Sequence, residues 1–369
     1  MLQLVFGRSG YGKTEYIRNR IADMIDRGET QVLLITPEQY SFISEYSLLE
    51  QLGEARAHAV RCLSFSRLCD ECDRLYGADG RKLLTKGGKA ILMKTAIDQV
   101  RPDLELFEKK GSSAAFVQSM TGIYDEMKSC NLSGAAVYAA ADDLDTDILR
   151  CKMRDFSRIM TAYEALLGDR FADPANRLTR LYDQIKDQNY FAGQTVFLDG
   201  FNGFVAQEYK ILERIIAEAK AVYIALDSDS FGTGDGYDLF AYVNETAGIL
   251  QRIADKAGVP TNALQLGENY RTDYADLRRV EQYIFADQAP ETEISSEHIR
   301  LYAASTVTDA CNDLALQIKG LLRCGYRAGE IAVTMRDREK YAPVLASAFE
   351  KYGVPYYTCL LYTSPSPRD

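Results

Sequence analysis

Short apolar runs alternate with helical patterns in the first part of the chain. After the segment GRSGYGKT, apolar residues recur at three- and four-residue spacing, which predicts an amphipathic helix that ends near Gly28. The runs beside such helices are short and rich in β-branched residues, as buried strands are, and they lie at 2–6, 31–37 and 58–66. Alternating strands and helices predict a parallel sheet with crossover helices, which is an α/β fold.

The pattern changes between residues 83 and 190. β-branched runs disappear, and segments such as KAILMKTAIDQV and RDFSRIMTAYEALL carry apolar residues at helical spacing. Strand patterns return at 194–201 and 221–229. We therefore predict one sheet-containing domain, formed by residues 1–82 and 191–288, that a helical insertion over residues 83–190 interrupts.

A second α/β domain is predicted after the polar segment 288–298. It begins with the strand pattern IRLYAAS (299–305) and contains another at 330–337, with helical patterns around it. Because these strands are too few to form a complete sheet, we expect residues 299–357 to be the start of a longer domain. Residues 358–369 are rich in Ser and Pro, and we expect them to be a tail foreign to the natural protein.

Composition and charge narrow the classes of function. The chain has 369 residues, of which 47% are hydrophobic and 26% charged, as in a globular protein of two or three domains. The net charge of −10 argues against a protein that coats nucleic acid through its overall charge, although a local DNA-binding groove is compatible with it. There is neither a long apolar stretch nor a secretory signal, so we expect a cytoplasmic protein with no membrane partner.

Cysteine, histidine and acidic clusters offer little chemistry. The eight cysteines are scattered and only Cys69 and Cys72 form a C-x-x-C pair, so we expect reduced thiols and no zinc site. With two histidines in the chain, histidine catalysis is not expected. The acidic segments 141–147 and 227–238 lack residues that a calcium loop needs at fixed positions, and we interpret them as solvated loops.

The segment GRSGYGKT carries the most specific chemistry. It matches G-x-x-x-x-G-K-[ST] in full, between a predicted strand and a predicted helix, which is the context of a phosphate-binding P-loop. Glycines let the backbone fold tightly around an anion, and the N–H groups of the helix N-terminus then point at the phosphates. We expect ATP to bind here, with Lys13 on the phosphates and Thr14 on Mg²⁺. The predicted contact residues are Gly7, Arg8, Ser9, Gly10, Tyr11, Gly12, Lys13 and Thr14.

Asp199 ends a later strand pattern, VFLD, at the position expected for a second Mg²⁺ ligand. The alternative is an aspartate that caps a turn. In many ATPases a glutamate follows this aspartate and activates the attacking water, whereas here Gly200 follows it. Glu208, at the start of the next helix, is the remaining candidate for a catalytic carboxylate. The sequence thus predicts nucleotide binding and leaves hydrolysis open.

Five blocks of sequence, taken together and in this order, resemble the AddB family. AddB is the second subunit of the ATP-dependent helicase–nuclease AddAB, also called RexAB. The blocks are GRSGYGKT, LLITPEQYSF (33–42), CLSFSRL (62–68), VFLDGFNGFVAQE (196–208) and IAVTMRDREKYAPVLASAFEKYGVPYY (331–357). The resemblance covers almost all of the chain and implies a superfamily 1 helicase-like fold. That fold is a RecA-like domain split by a helical insertion, followed by the start of a second RecA-like domain.

The resemblance also implies a function. Family members process broken double-stranded DNA for homologous recombination, in a heterodimer with an AddA-like helicase–nuclease subunit that supplies translocation. This half of the family's protein is associated with holding the unwound strand and recognising the Chi sequence, and it is regarded as not being the motor. The family's nuclease domain and its cysteine-ligated iron–sulfur cluster lie in a carboxy-terminal region outside this chain, so no cysteine here is assigned to the cluster.

Residues that follow the predicted strands are candidates for contacts with single-stranded DNA, because ligands bind at the carboxyl edge of such sheets. They are Gln39, Ser64, Phe65 and Arg67. Phe65 is interpreted as stacking on a base or as packing in the core, and Arg67 as a phosphate ligand or as a surface charge. Arg271, within LGENYRTD (266–273), resembles a phosphate-sensing arginine of helicases, and a surface arginine is the alternative.

Two other functions stay open at this point. An autonomous P-loop ATPase or small-molecule kinase would have a catalytic acid near the phosphates and no affinity for DNA. A scaffold subunit would bind nucleotide only to stabilise its heterodimer.

Overall fold

The computed structural model describes residues 1–78, 80–110, 113–229, 239–286, 291 and 295–358. The chain forms two compact units, of which the first is Met1–Asp273 and the second begins at Tyr274. Most of the acidic segment 227–238, and nearly all of the expected foreign tail, fall outside the described residues.

The first unit contains strands and helices, and the second unit contributes helices. The strands are β1 (Leu2–Gly7), β2 (Val32–Ile35), β3 (Val60–Leu63), β4 (Lys82–Leu83), β5 (Phe171–Ala172), β6 (Thr195–Leu198), β7 (Ala221–Asp227) and β8 (Thr261–Gln265). The helices of the first unit are α1 (Lys13–Asp26), α2 (Ser41–Leu52), α3 (Glu54–Ala57), α4 (Phe65–Tyr76), α5 (Lys86–Val100), α6 (Ala114–Ser129), α7 (Gly134–Ala141), α8 (Asp147–Leu167), α9 (Arg177–Ile185), α10 (Ala206–Glu218) and α11 (Ala241–Lys256). Those of the second unit are α12 (Ala275–Tyr283), α13 (Val307–Arg323) and α14 (Arg338–Tyr352).

Six parallel strands form the main sheet, in the order β3-β2-β6-β7-β1-β8. The predicted α/β class and parallel sheet are therefore confirmed. The edge strand β8 is an addition to the prediction, because its sequence TNALQ is mostly exposed and lacks an apolar run. With all strands parallel, the carboxyl ends of β1, β2, β6 and β7 meet at one edge of the sheet.

Both faces of the sheet are covered, because the buried strands alternate their side chains between two cores. Leu33 and Ile35 of β2 join a core with α4, α9, α10 and α11. Val32 and Leu34 of the same strand join the opposite core, which contains residues of α1 and α2. The edge that carries the ends of β1 and β6 is therefore held by packing on two sides.

A helical subdomain with its own core lies between α4 and α9. Its buried residues come from positions 84–167, whereas α9 packs in the core of the sheet through Leu181 and Ile185. The two ends of the subdomain are joined by the short parallel pair β4 and β5. Inside it, the fully buried carboxylate of Asp155 accepts three backbone N–H groups, from residues 105–107.

The second unit is helical in the part that the structure describes. Helices α13 and α14 pack through a small core that includes Ile318, Leu345 and Phe349. The strands predicted at 299–305 and 330–337 do not form among the described residues, so this part of the prediction is wrong. A strand needs a hydrogen-bonded neighbour, and Leu301, in the first of these two segments, is 98% exposed.

Candidate nucleotide-binding site

The loop between β1 and α1 depends on two glycines in the left-handed region. Gly10 has φ 89° and Gly12, which precedes the first turn of α1, has φ 79°. A β-carbon on Gly10 would lie 2.8 Å from the β-carbon of Arg271, so the loop and the segment around Arg271 approach each other too closely for a larger residue. Together the glycines bring the backbone around to the N-terminus of α1, where N–H groups have no partner within the helix.

A cleft of about 600 Å³ lies at this end of α1. The structure brings most of the predicted nucleotide-binding residues to its wall, namely Ser9, Gly10, Gly12, Lys13, Thr14, Asp199 and Arg271. Of the remaining predicted loop residues, Gly7 and Arg8 offer their carbonyl oxygens to Lys13, and neither they nor Tyr11 line the cleft. The side chain of Arg8 pairs instead with Asp229 at 2.8 Å.

Lys13 lies under the loop with its side chain 10% exposed. Its Nζ donates to the carbonyl oxygen of Gly7 at 2.7 Å and to that of Arg8 at 2.9 Å. The same Nζ lies 2.5 Å from Oδ1 of Asp227 at the end of β7. Asp227 lines the cleft, although its sequence context predicted a solvated acidic segment. Its position at the end of a strand was the signal that could have found it.

Thr14 and Asp199 meet across the cleft, although they are far apart in sequence. Burial raises the pKa of Asp199, while a hydrogen bond with Thr14, one with the backbone of Gly200 and the charges of Lys13 and Arg18 oppose that shift. A hydroxyl and a carboxylate oxygen side by side are the hard donors that Mg²⁺ prefers. This donor set therefore fits the predicted Mg²⁺, with Lys13 nearby for an anion.

Arg271 is held against the loop by its own segment. Its Nη1 donates to Oγ of Ser9 at 3.0 Å, and the backbone N–H of Tyr270 donates to the carbonyl oxygen of Gly10 at 2.9 Å. The structure thus places this arginine beside the loop and on the wall of the cleft, where an anion in the cleft would meet it.

Gly200 and Glu208, the two residues that bear on ATP hydrolysis, do not place a carboxylate beside Asp199. Gly200 has φ 81°, a conformation that costs a side-chain-bearing residue about 1–2 kcal/mol, so its backbone disfavours a glutamate after Asp199. Glu208 accepts the backbone N–H of Val205 at 2.9 Å, which caps α10, and burial raises the pKa of Glu208. It lines a different cleft, and the structure does not bring it to the loop.

That second cleft, of about 710 Å³, lies between the carboxyl edge of the sheet and the helical subdomain. Phe65 lines this cleft but is only 6% exposed and packs edge-to-face on Phe201. This agrees with the interpretation that Phe65 packs in the core. Arg67 is exposed and pairs with Glu45 at 3.2 Å. Lys86 and Arg177, which no sequence pattern singled out, also line this cleft.

The other two DNA candidates lie on the same edge of the sheet. Ser64 is buried and its Oγ accepts the backbone N–H of Arg67 at 3.2 Å, which caps α4. Gln39 is exposed just before α2. The geometry therefore gives Ser64 a structural role in starting a helix and leaves the side chain of Gln39 open to solvent.

Comparison with known proteins decides the family. The family model described as ADDB, N-terminal, matches residues 4–281, about three quarters of the chain. The chain belongs to the AddB family. It is similar to the B-type subunit of the ATP-dependent helicase/deoxyribonuclease of Clostridium novyi strain NT, at 26% identity over 361 residues. It is also similar to the protein of the same name from Clostridioides difficile strain 630, at 28% identity over 368 residues.

Both alignments cover 96% of this chain and 32% of the relative. The chain thus spans about a third of the length of the curated AddB relatives that it matches. Among the residues that the structure describes, no group of three or more His, Cys, Asp or Glu side chains is placed to hold a metal ion. Within the same residues, no helix has the length and apolar character to cross a membrane.

Proposed function

We propose that this chain is the ATP-binding, DNA-engaging part of one subunit of a heterodimeric helicase–exonuclease. The complex would process DNA double-strand breaks for recombinational repair, with an AddA-like partner. The observation that carries the proposal is the convergence of Lys13, Thr14 and Asp199 on one cleft in a chain of the AddB family. The relatives are named as one subunit of an ATP-dependent helicase/deoxyribonuclease, which supports a partner subunit and an ATP-dependent action on DNA.

In this proposal the sheet is that of a RecA-like domain and the first cleft holds ATP with Mg²⁺. The N-terminus of α1 and Lys13 bind phosphate charge, and Thr14 and Asp199 hold the metal ion. When bound, Mg²⁺–ATP would supply the negative charge for which Lys13, Arg271 and the N-terminus of α1 are placed. The proposal assigns no cysteine of this chain to an iron–sulfur cluster.

Binding is better supported than hydrolysis. The left-handed backbone of Gly200 and the capping role of Glu208 leave Asp199 without a glutamate beside it. We therefore propose that nucleotide acts here mainly as a ligand and that the partner subunit is the motor. The same arrangement weakens the case for an autonomous ATPase or kinase, which needs a catalytic carboxylate at the phosphates.

For DNA, we propose that the unwound single strand lies along the second cleft, where the subunit would read Chi. Lys86 and Arg177 on its wall, and Arg67 and Gln39 on the nearby edge, offer hydrogen-bond donors to a phosphate backbone. A phosphate there would compete with Asp70 for Arg177 and with Glu45 for Arg67. Because Phe65 is buried beside Phe201, we assign it to the shape of the cleft floor and not to base stacking.

The test of nucleotide binding is Lys13→Ala in the 369-residue chain, with Mg²⁺–ATP affinity measured by titration calorimetry. The matched control is Lys220→Ala, which removes an exposed lysine whose partner is Glu29. Loss of binding in the first variant alone supports the proposal. ATP turnover by the isolated chain that Lys13→Ala abolishes would favour an autonomous ATPase. If Lys13→Ala abolishes Mg²⁺–ATP binding but leaves DNA unwinding by the complex with the partner subunit unchanged, the result would favour a scaffold role for this subunit.

The test of DNA binding is Arg177→Ala, measured by fluorescence anisotropy of labelled single-stranded DNA at two salt concentrations. We expect weaker binding and a shallower dependence on salt, because one phosphate contact is lost. Arg56→Ala, which removes an exposed arginine paired with Asp26, is the control. Equal effects of the two substitutions would contradict the assignment of the second cleft.

A further inference from the structure

The ammonium group of Lys13 is fully engaged by the protein itself. A lysine side chain has three N–H donors and no acceptor. In this structure the Nζ of Lys13 contacts three acceptors, the carbonyl oxygens of Gly7 and Arg8 and the carboxylate of Asp227. A phosphate that is to be held by Lys13 must therefore replace one of them.

Asp227 is the acceptor that a phosphate would replace. The two carbonyl groups belong to the loop backbone, whereas Asp227 is a side chain that lines the cleft and is 43% exposed. It is the last residue of β7 and is paired in register with Gly7, the last residue of β1. Two neighbouring parallel strands thus fix its carboxylate at the point where the loop begins.

The charge of Asp227 also opposes a polyanion in the cleft. A carboxylate and a phosphate near the same ammonium group repel each other, and both gain from pairing with it. Arg18 and Arg271 line the same cleft and attract anions, so the competition concerns Lys13 and not the whole site.

We infer that Asp227 is an internal competitor of the nucleotide's phosphates for Lys13. The inference rests on the proposed nucleotide binding. Without nucleotide, Asp227 neutralises Lys13 and stabilises the loop; when nucleotide binds, the phosphates take its place and the carboxylate turns to solvent. The ion pair therefore lowers the affinity for nucleotide and at the same time keeps the nucleotide-free loop in a binding-competent shape.

The test is Asp227→Asn, which keeps the shape of the side chain and removes its charge. We expect the dissociation constant for Mg²⁺–ATP to fall about two- to fivefold, which is the range of a partly exposed ion pair. The melting temperature without nucleotide should fall, and its rise on adding saturating Mg²⁺–ATP should exceed that of the wild type. Asp227→Ser is a second variant with the same expected direction.

Asp26→Asn is the matched control, because it makes the same change in net charge at an exposed ion pair with Arg56. It should leave the affinity for ATP unchanged. AMP is a second control, because its one phosphate brings less negative charge to compete with Asp227 for Lys13. An equal gain in affinity for AMP and for ATP in Asp227→Asn would show a general charge effect and would refute the proposed competition.

The outcomes separate this inference from the proposed function. If the wild type binds Mg²⁺–ATP and Asp227→Asn binds it equally or more weakly, the competition is refuted and nucleotide binding stands. If Asp227→Asn binds and the wild type does not, the competition is supported in its strongest form. If neither binds, the proposed function and this inference fail together.

Discussion

Replacing Gly10 with alanine tests the close approach between the phosphate-binding loop and the segment that carries Arg271. Two costs are expected. The first is backbone strain, because Gly10 has φ 89°, and an L-residue in the left-handed region costs about 1–2 kcal/mol. The second is a clash, because the new β-carbon would lie 2.8 Å from Cβ of Arg271 and 3.2 Å from Oδ1 of Asn269.

Gly28→Ala separates these two costs. Gly28 has φ 85°, and a β-carbon there would meet nothing within 4 Å. Strain and the altered entropy of the unfolded chain are thus similar in the two variants and cancel in the comparison. The difference between them reports the clash, for which overpacking suggests about 1–3 kcal/mol.

The assay is thermal unfolding of both variants, in which 1 kcal/mol corresponds to about 2–4 °C for a unit of this size. Gly10→Ala should unfold at least a few degrees below Gly28→Ala. The double variant Gly10→Ala/Arg271→Gly, which lacks the opposing β-carbon, should recover part of the loss beyond additivity. Equal melting temperatures of the two alanine variants, or strict additivity in the double variant, would refute the close packing of the loop against Arg271.

Three further predictions concern single positions. Gly200→Glu should lower stability by about 1–2 kcal/mol through its positive φ and should not create ATP turnover, as melting and phosphate release would show. Asp199→Asn should raise the melting temperature of the nucleotide-free chain near neutral pH. Burial raises the pKa of Asp199, so its ionised form is the costly one in the folded chain. The gain should therefore shrink as pH falls through this raised pKa towards that of an unfolded aspartate, about 4. Asp155→Ala should destabilise the helical subdomain by about 3–5 kcal/mol, because Asp155 is buried, pairs with Arg158 and accepts the backbone N–H groups of residues 105–107. Hydrogen exchange of those amides would measure the loss of stability.

Most of the strands that the sequence predicted have side chains buried on both faces of the sheet. Strands β1, β2, β6 and β7 are continuous apolar runs and could be recognised without knowledge of their neighbours. Strand β8 could not, because an edge strand with exposed side chains has no such run. In the second unit the sequence predicted two strands that do not form among the described residues. An apolar run alone does not supply the neighbouring strand that a β-strand needs.

The same reasoning separates the site residues. The loop glycines, Lys13 and Thr14 follow from a local motif, and Asp199 follows from its position at the end of a strand. The pairing of Lys13 with Asp227 depends on β7 lying next to β1, which is a property of strand order and not of any local segment. The burial of Phe65 against Phe201 likewise follows from tertiary packing, whereas the capping bond between Glu208 and Val205 is local to the start of α10.

The short pair of strands β4 and β5 has a consequence for how this architecture tolerates change. Backbone hydrogen bonds from Lys82 to Arg170 and from Leu84 to Ala172, both 3.0 Å long, fasten the departing and returning chain side by side. Whatever is inserted between these points starts and finishes at one place on the parent domain. We therefore expect that the helical subdomain could be lengthened, trimmed or exchanged for another module of similar span without a change in the strand order of the main sheet.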